Sequence, residues 1–170
     1  MTNDMNITSD QLEKLFSQAP GMIYIFVRKP DGSYYIPFSS SKIKENFGCN
    51  PEDVADDFSP ILKVIFEDDK QKVIESVEES AKTMKPWHCE YRVQLPGQDI
   101  KWMFGSSVPE KMEDGSIAWY GFNTDITDKK YQEEELMKKN TDLQKMNSYM
   151  TDREVRMAEL KKQMETIKSQ

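Results

Sequence analysis

The chain of 170 residues is long enough for one domain with a substantial core and one additional element, and too short for two full-sized domains. Eight Phe, seven Tyr and three Trp are too many aromatic residues for a disordered acidic chain, so we expect a packed core. Cys49 and Cys89 lie far apart without a CxxC spacing, which argues against a disulfide framework and against a zinc site. Both thiols are expected to be reduced, with Cys89 buried.

The net charge of −7 comes from the first three quarters of the chain. Residues 1–127 hold 13 basic and 21 acidic residues, whereas residues 128–170 hold ten and nine. An acidic domain without a basic stripe is poorly suited to phosphate backbones, so nucleic-acid binding is not expected. No run approaches the roughly 18 apolar residues of a membrane span, and the opening residues lack a signal pattern. We therefore expect no membrane span and a cytoplasmic protein.

Residues 8–38 predict a short helix followed by a β-hairpin. Thr8 and Gln11 have the spacing of a capping box, and an amphipathic helix follows that ends at Pro20. Its apolar face consists of Leu12, Leu15 and Phe16. The segments MIYIFV and SYYIPF, separated by a Pro-Asp-Gly turn, then predict a hairpin over residues 22–38. Pro37 requires an edge or a bulge at the end of the second strand.

Short helical segments replace the β pattern over residues 39–85. The clearest of them places Val73, Val77 and Ala81 on one face, with Asp68 or Asp69 as a candidate N-cap. Three further strands follow as WHCEYRVQ, IKWMFGSSV and SIAWYGFNTDI, separated by glycine turns. This order predicts an α+β domain in which a five-stranded antiparallel sheet carries the helices on one face.

The segment from Asp128 onward contains neither Pro nor Gly and has a heptad repeat. One apolar row recurs every seven residues, at Leu136, Leu143, Met150, Met157 and Met164. A second row lies three residues further on and is interrupted by charge, at Lys139, Met146, Arg153, Leu160 and Ile167. The repeat predicts a long helix that forms a marginal two-stranded coiled coil. We divide the chain into a flanking helix (1–20), the α+β domain (21–127) and a coiled-coil helix (128–170).

The strand order resembles the PAS family of sensory domains, and particular residues support the resemblance. They are EYR at 90–92, Trp102 after a glycine turn, and GFNTDITDKK at 121–130. The segment GCNPED at 48–53 also resembles the family's glycine-initiated helix turn, although Cys49 replaces the usual aromatic residue. By resemblance, Asp125, Ile126 and Thr127 form the junction between the sensory domain and an effector.

Residues 150–162 resemble the connectors that precede the catalytic domains of sensor histidine kinases and diguanylate cyclases. A histidine kinase needs a phosphoacceptor histidine on its dimerisation helix, whereas the single histidine, His88, falls in a predicted strand. No GGDEF-type loop is present, and no Cys/His or Ser/His/Asp spacing suggests a hydrolase. We therefore expect no enzymatic activity in this chain, which is either part of a longer receptor or a free-standing regulator.

The resemblance also narrows the choice of cofactor. Flavin photoreceptors of the family carry a reactive cysteine in a helix that corresponds here to ADDFSPILK, which has none. Haem-binding relatives use a histidine on the long helix, and DKQKVIESVEESAKT contains no histidine. The expected ligand is thus an unidentified small molecule, or none. We interpret His88 as a polar surface residue, because it alternates with Glu90 and Arg92.

By resemblance to the flavin-binding relatives, the odd-numbered face of the last three strands points into a pocket beneath the helices. The candidate ligand-binding residues are Tyr91, Val93, Met103, Ser107, Trp119 and Asn123, with Gly105 and Gly121 between them. Asn123 aligns with the position where those photoreceptors hold a Gln against the flavin ring. The alternative is that Trp87, Tyr91 and Trp119 fill the interior and leave no cavity.

The opposite sheet face carries an aromatic stripe formed by Trp102, Phe104, Tyr120 and Phe122, which a soluble monomer would not leave in water. The first helix and a second subunit are the candidate covers. We expect both, in one parallel homodimer whose interface combines Leu12, Phe16, Trp102 and Phe122 with the heptad row from Leu136 to Met164.

The junction predicts a means of signalling. Thr127 is positioned to cap the following helix, Asp128 lies near the positive end of that helix, and Asp125 ties the strand end to the cap. The predicted function is a dimeric sensory module that relays a ligand- or partner-induced change through its C-terminal helix to an effector such as a histidine kinase or diguanylate cyclase. The alternative is a ligand-free dimerisation or scaffold module.

Overall fold

The computed structural model describes residues 8–168, without the side chains of Ser9, Glu13 and residues 166–168. It separates into one unit that ends at Thr127 and a second that begins at Asp128. The elements of the first unit are α1 (Ser9–Gln18), β1 (Met22–Arg28), β2 (Tyr34–Ser39), α2 (Ile43–Phe47), a 3-10 turn (Pro51–Val54), α3 (Ser59–Val64), α4 (Glu67–Thr83), β3 (Trp87–Val93), β4 (Lys101–Lys111) and β5 (Ile117–Asp125). Helix α5 (Thr127–Lys168) follows without an intervening loop.

The sheet has five antiparallel strands in the order β2-β1-β5-β4-β3, which confirms the predicted sheet. Strand β5 is central, because it pairs with both β1 and β4. Pro37 lies in the edge strand β2, and the pairing of β1 with β2 shifts register between Ile25 and Val27. The expectation of an edge or bulge at Pro37 is therefore met, since proline cannot donate to a central ladder.

The helices pack on one face of the sheet. Ile43 and Phe47 of α2, Ile61 of α3, and Val73 and Val77 of α4 are buried in the same cluster as the inward-facing strand residues. Strand β3 alternates strictly, with its odd-numbered residues buried and His88 exposed. This alternation is what a strand buried on one side requires.

Helix α1 begins with the predicted capping box, in which Thr8 and Gln11 exchange hydrogen bonds. The Phe16 ring lies 5.6 Å from the ring of Phe38. Phe38 pairs with Ile25, on the sheet face opposite the helical layer, but Leu12 and Leu15 of α1 are exposed. Helix α1 therefore covers only a margin of the outer face. On that face Tyr120 and Phe122 remain 44% and 42% exposed.

The expectation that Asp68 or Asp69 caps α4 is wrong. The helix begins at Glu67, before either aspartate could cap it, with Phe66 at the N-cap and no side-chain cap. Asp69 instead accepts hydrogen bonds from the backbone N–H of Arg92 (2.7 Å) and from its guanidinium (2.7 and 2.9 Å). Arg92 lies on the edge strand β3, whose outward N–H groups need partners. These bonds hold the pKa of the Asp69 carboxyl below its usual range.

Helix α5 carries the predicted heptad row, and each of its five residues, from Leu136 to Met164, is more than half exposed in the single chain. The side chain of Ile167, in the second row, lies outside the described residues. Among residues 8–168, no helix combines the length and the apolar composition needed to cross a membrane. The long helix is as predicted, and its pairing into a coiled coil stays a prediction.

Replacing Asp69 with Asn should lower the free energy of unfolding by about 2 kcal/mol at pH 7, because a charge-assisted contact to Arg92 is lost. The Asp69 side chain is 12% exposed and that of Asp68 78%, so Asp68→Asn is the matched control, with an effect below about 0.5 kcal/mol. The folded pKa of Asp69 is depressed, so its contribution is complete above the unfolded value of about 3.9 and is lost as pH falls through the folded value. Urea unfolding should show a smaller difference between Asp69→Asn and the wild type at pH 3 than at pH 7; an equal difference at the two pH values would contradict this.

Candidate functional site

A cavity of about 50 Å³ lies between the sheet and the helical layer. The strands contribute Tyr24, Phe26, Trp87, Tyr91, Ser107, Trp119 and Asn123 to its wall. The helices and the segment before α3 contribute Phe47, Phe58, Ile61, Leu62, Val73 and Val77. The aromatic side chains therefore nearly fill the interior without closing it completely.

The predicted ligand-binding residues fall into two groups. Tyr91, Ser107, Trp119 and Asn123 line the cavity, as expected from the inward face of the strands. Val93 and Met103 are fully buried but do not reach the cavity wall. Val93 is covered because Ile65, directly after α3, forms a β-bridge with it. The inward face thus extends beyond the cavity, and Val93 and Met103 belong to the packed core.

Gly105 occupies the floor of the site, where β4 runs between β3 and β5. It pairs with Cys89 on one side and with Asn123 on the other. A Cβ atom at Gly105 would lie 2.3 Å from the Trp87 ring and 2.6 Å from Oδ1 of Asn123. The missing side chain therefore makes room for both groups in one layer.

Asn123 is a buried polar residue of the cavity wall whose side-chain oxygen and nitrogen differ in their hydrogen bonding. The Tyr91 hydroxyl donates to Oδ1 of Asn123 over 3.0 Å, and the Asn123 residue is 7% exposed. Burial raises the pKa of Tyr91 well above its usual value, so its hydroxyl keeps the proton that it donates. Within the described part of the chain, the side-chain amide nitrogen of Asn123 donates to no protein oxygen. The amide therefore retains hydrogen-bonding capacity beside the cavity.

Two serines on α4 fix the indole rings of the site. Trp119 donates to the Ser80 hydroxyl over 2.9 Å, and Trp87 donates to the Ser76 hydroxyl over 2.8 Å. Ser80 in turn donates to the carbonyl of Lys85 over 2.7 Å. Neither serine could be predicted as a site residue, because a serine within a helix has no local signal for a partner on a distant strand.

A second polar cluster lies beside the cavity and was also missed. Glu78 accepts a hydrogen bond from Nε of Arg28 at 2.8 Å and another from the hydroxyl of Tyr34, a residue of the cavity wall. The Arg28 contact and, next, the Tyr34 contact lower the pKa of the Glu78 carboxyl. No local pattern in the sequence of α4 indicates this partnership.

The junction differs in detail from the expectation. Thr127 is the first residue of α5, and its hydroxyl does not cap the helix. That oxygen instead accepts the N–H of Trp102 over 2.9 Å and lies 2.5 Å from Oδ1 of Asp125. Asp125 accepts the N–H of Thr127 over 2.9 Å, and the N–H of Ile126 donates to the carbonyl of Trp102. Asp125 therefore satisfies the first helical N–H, and Thr127 ties the strand end to β4.

Other candidate groups lie away from this arrangement. The His88 ring is exposed and stacks on Phe104 with their centroids 6.2 Å apart, on the outer face. Cys49 and Cys89 are free and buried, and burial raises the pKa of both thiols. Among the side chains that the structure describes, no three His, Cys, Asp or Glu residues are grouped so that they could hold a metal.

The sequence and the fold match known proteins. The family described as PAS fold matches residues 36–123, and the chain belongs to this family. A sensory box histidine kinase/response regulator from Burkholderia thailandensis E264 is 20% identical with a TM-score of 0.58, over 79% of this chain and 98% of that one. The N-terminal domain of a diguanylate cyclase with PAS/PAC sensor from Marinobacter aquaeolei is 12% identical with a TM-score of 0.51, over 62% and 95%.

The PAS domain of a protein from Colwellia psychrerythraea is 19% identical with a TM-score of 0.53, over 70% of this chain and 97% of that one. A comparison with curated protein sequences finds no match. The PAS fold expected from the sequence is thus confirmed.

Replacing Ser80 with Ala should lower the free energy of unfolding by about 1–3 kcal/mol, because the buried Trp119 N–H loses its acceptor. Thr83→Ala on the same helix is the matched control, since the Thr83 hydroxyl is exposed and bonds only to the Glu79 carbonyl of its own helix. Denaturant unfolding followed by far-UV circular dichroism measures both. Equal effects of the two substitutions would show that Ser80 does not fix the indole.

Proposed function

We propose that this chain is a signal-transduction sensor module that pairs through α5 and relays a change in its cavity to an effector. The observation that carries the proposal is the position of Asn123, which lies on the cavity wall and only two residues before Asp125. Asp125 in turn holds the first helical residue, Thr127. One strand therefore connects the candidate ligand contact to the start of the output helix.

The hydrogen bonds of β4 and β5 support this route. Asn123 pairs with Gly105, and Asp125 pairs with Met103, so the same two strands run from the cavity to the junction. Trp102, the next residue of β4, bonds to both Ile126 and Thr127. A ligand that pulls on the Asn123 amide would change the strain on these bonds, and we propose that this alters the geometry of the paired helices.

The proposed output is an effector domain of the kind found with similar folds. One structural neighbour belongs to a histidine kinase/response regulator, and another belongs to a diguanylate cyclase with a PAS/PAC sensor. We propose that this chain serves such an effector and has no catalytic activity of its own. The excess of acidic over basic residues before Asp128 supports a protein partner rather than a nucleic acid, and we assign the module to the cytoplasm.

Exposed apolar surface supports a parallel homodimer. The heptad residues of α5 recur at the spacing of a coiled-coil seam and are more than half exposed in the single chain. On the sensory domain, Tyr120 and Phe122 are also exposed, and α1 leaves them uncovered. We propose that a second copy covers both surfaces.

The cavity itself favours a second candidate function. At about 50 Å³ it is well below the 300–1,000 Å³ typical of ligand pockets. A domain with so little free volume could act as a ligand-free dimerisation or scaffold module, in which the packed core only sets the geometry of the two helices. The two candidates differ in whether a small molecule enters beside Asn123.

Replacing Leu143 with Asp should weaken the dimer about 100-fold, because two leucines leave the seam and two like charges enter it. Gln144→Asp is the matched control, since it introduces the same side chain at the neighbouring position outside both heptad rows. Sedimentation equilibrium measures the dissociation constants. A wild-type chain that stays monomeric at about 100 μM would refute pairing through α5.

Replacing Asp125 with Ala should loosen the first turn of α5 while costing the sensory domain only about 1 kcal/mol of stability. The amides of Thr127 and Trp102 should exchange their hydrogens faster, because Asp125 holds Thr127 against β4. Asp128→Ala is the control, and should leave the Trp102 amide protected. Hydrogen exchange measured residue by residue by NMR gives both quantities; loss of protection throughout the sheet would show a purely structural role.

A further inference from the structure

The cavity wall carries no charge. Aromatic and aliphatic side chains form nearly all of it, and its polar side-chain groups are those of tyrosine, tryptophan, Ser107 and Asn123. The nearby ionic groups are already paired, Arg28 with Glu78 and Arg92 with Asp69. A charged ligand would lose its hydration without gaining a counterion, and this costs several kcal/mol in a buried site. A neutral ligand is therefore required.

The polar groups of the wall are mostly occupied, and this limits how a ligand is oriented. The two indole N–H groups are bonded to Ser76 and Ser80, and the Tyr91 hydroxyl donates to Asn123. The Asn123 amide nitrogen has no protein acceptor among the described residues and lies in a wall that is almost closed to solvent. It would therefore donate to an oxygen of the ligand, since burying an unmet donor is unfavourable.

The partly buried side chains of the cavity wall determine how the cavity can enlarge. An engineered cavity of about 150 Å³ holds benzene, and the present one has about 50 Å³. Trp119 is fully buried and bonded to α4, whereas Tyr34, Phe58 and Leu62 are only partly buried. The ring of Phe58 lies 5.0 Å from that of Phe26, edge to face. Outward rotation of Phe58 is thus the least costly route to a benzene-sized space, because the Tyr34 hydroxyl is bonded to Glu78.

We infer that the cavity binds a compact, neutral, aromatic molecule with one hydrogen-bond-accepting oxygen, held by the Asn123 amide and by the neighbouring rings of Trp87 and Tyr91. A compact ligand can reach the amide and an aromatic ring together, because Asn123 and the Trp87 ring both border the space left by Gly105. This assignment rests on the proposed sensory function, whose ligand it specifies.

Three probes of similar size test the inference on the unmodified full chain. Benzyl alcohol offers an oxygen, toluene lacks it, and benzoate carries a charge. Trp87 and Trp119 line the cavity, so their fluorescence reports binding, and calorimetry gives the affinity. Benzyl alcohol should bind with a dissociation constant on the order of 0.1–1 mM, toluene about fivefold to tenfold more weakly, and benzoate at least tenfold more weakly. Benzoate binding as tightly as benzyl alcohol would overturn the neutral assignment.

Two variants test whether the Asn123 amide contacts the ligand. Asn123→Leu keeps a side chain of similar size and should reverse the preference so that toluene binds more tightly, because the hydroxyl of benzyl alcohol would be desolvated without a partner. Val108→Leu, an exposed position on the opposite sheet face, should leave the preference for benzyl alcohol unchanged. An unchanged preference in Asn123→Leu would overturn the role of the amide. If this variant does not fold, the ranking of the probes on the unmodified protein still decides the chemical class.

The results test the ligand assignment and the relay through paired helices separately. If no probe binds but the chain dimerises through α5, the ligand assignment is wrong and the scaffold function remains. If benzyl alcohol binds in the expected order but the chain is monomeric, the ligand assignment holds and relay through paired helices is wrong.

Discussion

The two-residue period of the strands is the constraint on which the rest of this domain depends. Odd-numbered residues of β3, β4 and β5 face the helical layer, and even-numbered residues face away from it. The antiparallel register brings Cys89, Gly105 and Asn123 into one row. A slip of one residue in β5 would replace Asn123 by Phe122 inside and move the amide to the outer face. Since Gly105 leaves room for Trp87 in that row, register and composition together determine the floor of the cavity.

Features with a local period could be predicted from the sequence, and features that depend on distant partners could not. Apolar alternation predicts the strands, the capping box predicts the start of α1, and the heptad repeat predicts the length of α5. Asp69 looked like a helix cap because it begins an apolar helical pattern, but its partner Arg92 lies on β3. Helix α4 thereby provides an acceptor for the outward N–H of Arg92. The N–H of Phe66 donates to the carbonyl of the same residue. No local pattern contains this information.

The candidate site also combines features that a local pattern predicts with features that depend on distant residues. The inward face of β5 could be predicted, and Asn123 was identified through a family resemblance. The extent of the cavity could not, because it depends on how Phe47, Phe58 and Ile61 pack, and they come from the part of the chain with the weakest periodicity. Val93 was assigned to the site for this reason, although Ile65 covers it. The free volume of a core depends on the shapes of all its neighbours, so a strand pattern alone cannot determine it.

Helix α4 is held to the sheet at several points along its length. Asp69 bonds to β3, Ser76 to Trp87, Glu78 to Arg28 and Ser80 to Trp119. Because these contacts reach three different strands, α4 resists movement away from the sheet. Strand β5 is bonded on both sides, so its movement must be shared with β1 and β4.

Because β5 is held by both of its neighbours, a ligand can change the conformation of the domain only to a limited extent. A ligand shifts a conformational equilibrium only by the difference between its affinities for the two states. One hydrogen bond to the Asn123 amide contributes a factor of about five to ten, which would move a population ratio of about 1:9 to nearly 1:1. A larger response would require apolar contacts that exist only in the enlarged cavity. Hence the partly buried ring of Phe58, rather than the amide, would determine the strength of the response, and the amide would determine which molecule elicits it.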